Sequence, residues 1–147
     1  MLSKALFLDR DGIINKDNDF VFRKKDFIFN EEIFGLIKFF QDKNYKIIIV
    51  TNQSGIGRGL FTLEEFYKIN RWMIDFFKDK GLVIDRVYFC PFHPSKGIGE
   101  YLCDHDDRKP NPGMILKAQR EFEEKRGKNF TYNPLIGDRA PALNYRK

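Results

Sequence analysis

No apolar stretch in the 147-residue chain is long enough to span a bilayer, and Arg10 and the early acids interrupt anything resembling a signal peptide. A soluble protein of the cytoplasm is therefore expected. Cysteine is scarce. Cys90 and Cys103 are the only two, too few for a disulfide framework. Both lie near a histidine, which points to metal more than to redox chemistry. There is no internal repeat, no low-complexity segment and no block of like charge. The net charge of +5 favours acidic ligands, but its even spread does not demand a polyanion. Nucleic acid is accordingly not expected as a partner, and neither is a membrane. Hydrophobic residues make up 42% and charged residues 32%, with sixteen phenylalanines, so the composition is that of a globular domain with a bulky core. The length suits one domain, residues 1–147, and a monomer is favoured.

Against that background the stretch from Leu6 to Gly12 stands out. A short apolar run ends in two carboxylates two residues apart, followed by glycine. Such a run reads as a buried strand of a parallel sheet. If the backbone stays extended, Asp9 and Asp11 point the same way, beyond the carboxyl end of the strand, where open α/β sheets bind ligands. Paired acids there invite a hard cation and phosphoryl chemistry.

Further along, the spacing predicts a long loop over 15–29 and a helix after Asn30, read as its N-cap, with Ile33, Leu36, Ile37 and Phe40 inward. Tyr45 to Val50 reads as the second strand, running into a polar, glycine-rich loop from Thr51 to Gly59. Thr62 and Glu65 form a capping box for a helix closed by Gly81. A third strand spans Arg86 to Phe89. The segment from Cys90 to Asn111 is long for a connection and so reads as functional. Asn111 and Pro112 open a third helix that ends near Gly127, and Leu135 and Ile136 lead into Asp138 as a short fourth strand. Strands alternating with helices predict an α/β, doubly wound parallel sheet.

Parallel strands place their carboxyl ends on one edge. Asp9 and Asp11, Thr51 and Asn52, Arg108 and Lys109, and Asp138 then converge. An acid pair, a hydroxyl, a lysine and a third acid are the parts for phosphoryl transfer through an aspartyl-phosphate. The strings Asp9-Arg10-Asp11-Gly12, Val50-Thr51-Asn52-Gln53-Ser54-Gly55, Arg108-Lys109-Pro110 with Pro112-Gly113-Met114, and Ile136-Gly137-Asp138 resemble the four motifs of the haloacid dehalogenase (HAD) superfamily. They are most similar to its capless heptose bisphosphate and histidinol-phosphate phosphatase branch.

That resemblance implies a Rossmann-like phosphatase fold and a Mg²⁺-dependent attack by Asp9 on a small sugar phosphate, with Asp11 as acid and base. Mg²⁺ would bind Asp9, the Asp11 carbonyl and Asp138. Thr51 and Asn52 would hold phosphoryl oxygens, Lys109 would stabilise their charge, and Arg108 would grip substrate. Gln53 to Arg58 would shape the mouth, with Arg58 a candidate for a distal phosphate. The 7-phosphate of D-glycero-D-manno-heptose 1,7-bisphosphate is the expected target, with histidinol phosphate second. A polynucleotide 3′-phosphatase and an inactive, truncated paralogue are the rival readings.

Two departures from the family pattern follow. The branch often holds a structural zinc in one loop. Here Cys90, His93, Cys103 and His105 form an irregularly spaced Cys₂His₂ set for Zn²⁺. The alternative is a metal-free loop held by packing of Phe92 and Tyr101. At the end, Ala142 stands where the family has another acid, Pro141 is awkward for a helix, and the C-terminus at Lys147 is short of the family's further strand and helix.

Overall fold

A computed structural model of the chain describes residues 3–126, 130–132 and 143–144. Five strands form one sheet in the order β4-β1-β2-β3-β5: β1 is Ser3–Leu8, β2 Tyr45–Asn52, β3 Arg86–Cys90, β4 Phe130–Tyr132 and β5 Leu143–Asn144. The first four run parallel, and β5 joins the edge antiparallel to β3. The continuous apolar runs of β1 and β2 are explained by their place. Ala5 to Leu8 and Ile47 to Val50 are all at most 1% exposed, as expected where both faces of a parallel sheet are covered.

Among the described residues, four α-helices connect and cover the strands: α1 (Glu32–Asp42), the single turn α2 (Ser54–Gly57), α3 (Leu63–Asp79) and α4 (Gly113–Arg126). From β1 to β2 to β3 the chain steps one way along the sheet. From β3 to β4 it returns to the far side of β1. Right-handed crossovers then require α4 on the face opposite α1 and α3. Consistent with this, α1 and α3 share an aromatic cluster, with Phe34 5.5 Å from Phe77 and 6.1 Å from Phe76. Met114, Ile115, Ala118 and Phe122 of α4 are buried. The reversal occurs at β1, so the sheet's ligand crevice opens at the end of that strand. No helix among the described residues is long and apolar enough to cross a membrane.

The capping box forms as expected: Thr62 Oγ1 accepts from the Glu65 N–H at 3.0 Å, and Glu65 Oε1 accepts from the Thr62 N–H at 2.9 Å. Gly81 closes α3 at a φ of +79°. Asn30 does not cap α1. The helix is entered from Glu31, with no side-chain cap, and the Asn30 side-chain N–H instead donates to the Ile13 carbonyl at 3.0 Å. Part of the expected glycine-rich loop is the helical turn α2. The strand at Phe130–Tyr132 was not foreseen, nor was an antiparallel edge. The expected strand from Leu135 to Asp138, together with Pro141 and Ala142, lies outside the described residues.

Candidate active site

Asp9 follows the last residue of β1 and is buried. Lys109, also buried, reaches it from the segment before α4, with Nζ 2.6 Å from Asp9 Oδ1. The Arg10 N–H donates to the same oxygen at 2.8 Å. Burial pushes the Asp9 carboxyl above its usual range, Lys109 pulls against that shift, and Asp11 adds to it. A charge so placed needs cations around it, and Lys109 is one.

Asp11 stands nearer the opening, its side chain 24% exposed. Its Oδ1 accepts from Arg10 Nε at 3.1 Å, Arg10 Nη2 at 2.8 Å and Asn15 Nδ2 at 3.0 Å. Its Oδ2 accepts from Gln53 Nε2 at 3.1 Å, and the same nitrogen donates to Thr51 Oγ1 at 3.0 Å. Gly12 then turns the chain at a φ of +93°, a conformation side chains resist. β2 runs on through Thr51 and Asn52, which pair with Phe89 and Cys90. Asn52 Oδ1 accepts from the Lys109 N–H at 3.0 Å, which fixes the second strand end to the lysine segment.

These groups surround a cleft of about 220 Å³. Asp9, Asp11, Asn52, Gln53 and Lys109 line it together with Asp17, Asp19 and Phe20 of the loop after β1. Three of the four expected strand-end groups are thus brought together. The fourth, Asp138, lies outside the described residues. Arg58 does not line the cleft. Its guanidinium sits 5.0 Å from the Phe20 ring at the mouth. Arg108 braces the neighbouring loop, with Nη1 donating to the Phe92 carbonyl at 3.2 Å.

Sequence reasoning assigned no role to Arg10, Asn15, Asp17 or Asp19. A basic residue between two acids was a signal for Arg10. Nothing marked the others, whose place depends on how the loop folds back.

The carboxylates of Asp9, Asp11, Asp17 and Asp19 in the cleft lining supply oxygens, the ligand type that suits Mg²⁺ and other hard cations. The Asp9 carboxylate and the Asp11 carbonyl are the oxygens a cation would use, and both protein contacts to Asp9 fall on Oδ1. The expected zinc site is not assembled. Among the described residues, no group of three or more His, Cys, Asp or Glu is placed to hold a metal. Cys90 ends β3 with its side chain in the core, where burial pushes the thiol up to about 12. His93 Nδ1 accepts from the N–H groups of Ser95 and Lys96 at 3.1 and 3.0 Å. The His105 ring stacks flat on Phe92, with centroids 4.2 Å apart. Phe92 also packs against Tyr101 at 5.8 Å, so ring packing closes this loop.

The model of the family described as polynucleotide kinase 3 phosphatase matches residues 5–145. The chain is 46% identical over 139 residues to the D-glycero-alpha-D-manno-heptose-1,7-bisphosphate 7-phosphatase of Burkholderia mallei, covering 95% of this chain and 71% of that one. It is 43% identical over 140 residues to the D-glycero-beta-D-manno-heptose-1,7-bisphosphate 7-phosphatase of Vibrio cholerae, covering 95% and 73%. Among solved structures, a HAD-like phosphatase from Mesorhizobium loti superposes with a TM-score of 0.77 at 35% identity, over 82% of this chain and 57% of that one. The D,D-heptose 1,7-bisphosphate phosphatase from B. bronchiseptica, complexed with magnesium and phosphate, gives 0.72 at 30% identity, over 82% and 64%.

Proposed function

The chain belongs to the polynucleotide kinase 3 phosphatase family, with a HAD-like fold, and on that basis we propose that it is a Mg²⁺-dependent phosphatase removing the 7-phosphate of D-glycero-D-manno-heptose 1,7-bisphosphate. One observation carries the chemistry: a buried carboxylate at the sheet's reversal point, with a buried ammonium 2.6 Å away. The similarity to heptose bisphosphatases supports the substrate.

In this reading Asp9 Oδ2 attacks phosphorus, since Oδ1 is taken by Lys109 and the Arg10 N–H. The bond from phosphorus to the sugar oxygen breaks, and Asp11 gives that oxygen its proton. The resulting aspartyl-phosphate is cleaved by a water that Asp11 deprotonates. Lys109 balances charge on the transferring group, and the Thr51 hydroxyl donates to a phosphoryl oxygen. Gln53 donates to the Thr51 oxygen, and the Thr51 hydroxyl itself donates to the Asn52 carbonyl at 3.4 Å, a long bond that a phosphoryl oxygen would replace. Asn52 Nδ2 is a second donor. Asp9, the Asp11 carbonyl and Asp138 are the residues that would hold Mg²⁺, which would supply positive charge near the phosphate. Arg108 and Arg58 are the cations for the rest of the substrate, with Arg58 carried over the mouth by Phe20.

The test is phosphate release, with Mg²⁺ and after chelation, from heptose bisphosphate, histidinol phosphate and a 3′-phosphorylated oligonucleotide. The expected outcome is the highest kcat/KM on heptose bisphosphate and loss of turnover on chelation. A cleft walled by Asp17 and Asp19 is a poor seat for a polyanion. Preference for the oligonucleotide would overturn the substrate, and no release from any of the three would favour an inactive paralogue.

A further inference from the structure

Among the described residues, Arg10 is the largest fully buried side chain, at 1% exposure. A guanidinium at that depth loses its hydration, and one nitrogen, Nη1, has no hydrogen-bond partner among the described residues. An apolar residue would be cheaper here if filling space were the only task. Instead the side chain is fixed at three points: Nη2 donates to the Val21 carbonyl at 2.7 Å, Cζ lies 5.6 Å from the Phe27 ring, and Nε and Nη2 both reach Asp11 Oδ1. Its own carbonyl accepts from the Ile14 N–H at 2.8 Å, which anchors the backbone as well.

We propose that Arg10 is a positioning residue for the acid–base group: it pins Asp11 by Oδ1 and so presents Oδ2 as the oxygen that meets the leaving group. This rests on the aspartyl-phosphate reading above. A carboxylate oxygen has about two lone-pair sites. Oδ1 already receives three N–H groups, two from Arg10 and one from Asn15, and is full. Oδ2 receives one, from Gln53, and keeps a site for a proton. In the first step the Oδ2–H bond breaks and the proton passes to the sugar oxygen as its bond to phosphorus breaks. In the second, Oδ2 takes a proton from the attacking water. Two guanidinium donors converging on Oδ1 hold that oxygen in place, while the Gln53 donor on Oδ2 fixes the plane of the carboxylate.

The test compares two monoesters that differ in need of a proton. The leaving group of heptose bisphosphate is a sugar alkoxide, which needs one to depart as an alcohol. 4-Nitrophenyl phosphate leaves as a stable phenolate and needs none. kcat/KM is measured on both for the parent, Arg10→Met, Arg10→Lys and Asp11→Asn, with folding checked by circular dichroism. Arg10→Met is expected to lose about 10- to 100-fold on heptose bisphosphate, part of the ~10² to 10⁴ that a whole proton-transfer group supplies. Its loss on 4-nitrophenyl phosphate is expected to be several-fold smaller. Arg10→Lys, which keeps the charge but replaces the planar fork with a single ammonium nitrogen, should fall between parent and Arg10→Met. Equal losses on both esters, or no loss on either, would overturn the role of Arg10. If Asp11→Asn itself shows no difference between the esters, the assignment of Asp11 has failed, and the proposal fails with it. Should Arg10→Met not fold, Arg10→Lys on the same pair decides: equal losses again overturn the role.

Discussion

Asp107, 2% exposed, and the ammonium of Lys117 form an ion pair that joins the long segment after β3 to α4. Asp107 is the more deeply buried partner, at 3% side-chain exposure against 29% for Lys117. The two ends should therefore respond unequally to mutation. Lys117→Met strands a buried carboxylate and should cost roughly 2 to 4 kcal/mol, near the range for a broken buried pair. Asp107→Asn leaves a lysine that reaches water and should cost clearly less. Urea unfolding of both variants checks this, and equal losses would contradict the asymmetry.

The pair proposed to carry the chemistry, Asp9 and Asp11, gives the second expectation. Asp9→Asn cannot form an acyl phosphate, so turnover should vanish while substrate binding persists. Asp11→Asn should lose ~10² to 10⁴ in rate on a sugar phosphate. Phosphate release in single-turnover experiments measures both, and any substantial release by Asp9→Asn would rule out a covalent path.

Cys90 and Cys103 should differ sharply in reactivity. With the Cys90 thiol pushed up to about 12 by burial, its reactive thiolate stays scarce at pH 8 and grows only as pH approaches that value. Cys103 is partly exposed. A disulfide reagent at pH 8 should titrate one thiol per folded chain and two in denaturant. The same preparation should keep its melting temperature after chelation, since Phe92, Tyr101 and His105 pack the loop. A fall in melting temperature on zinc removal would restore the metal reading.

Gly57 marks a close approach. A Cβ there would lie 2.2 Å from the Pro91 carbonyl oxygen and 2.8 Å from Tyr101 Cβ. Backbone cannot swing aside as a side-chain tip can, so Gly57→Ala should destabilise by roughly 1 to 3 kcal/mol, as overpacking does. It should also displace Arg58, the next residue, and raise KM for the bisphosphate more than it lowers kcat. Thermal unfolding and steady-state kinetics together test both halves.

Much of this was legible because buried parallel strands write themselves as unbroken apolar runs, and because Thr62 and Glu65 interact over three residues. The residues that misled are those with distant partners. Asn30 followed by two acids looks like a cap. Nothing local shows that its amide goes back seventeen residues to Ile13. Arg10 was visible, but its anchor on Val21 depends on the loop folding over it. Ligand types near residue 90 suggested zinc. Spacing could not show that Cys90 belongs to the last pair of β3 and faces the core.

The reversal of strand order at β1 also bears on synthesis. Asp9 leaves the ribosome one hundred residues before Lys109, the cation that lies 2.6 Å from it in the finished protein. Closing so long a loop is slow relative to forming β1, α1 and β2, which are near neighbours in sequence. Until the segment before α4 docks, an already folded half-sheet would carry Asp9 without its ammonium, and burial of that carboxylate would go unopposed. A nascent chain is therefore expected to hold its nucleophile protonated or solvated, and to gain hydrolytic competence only when the second half arrives.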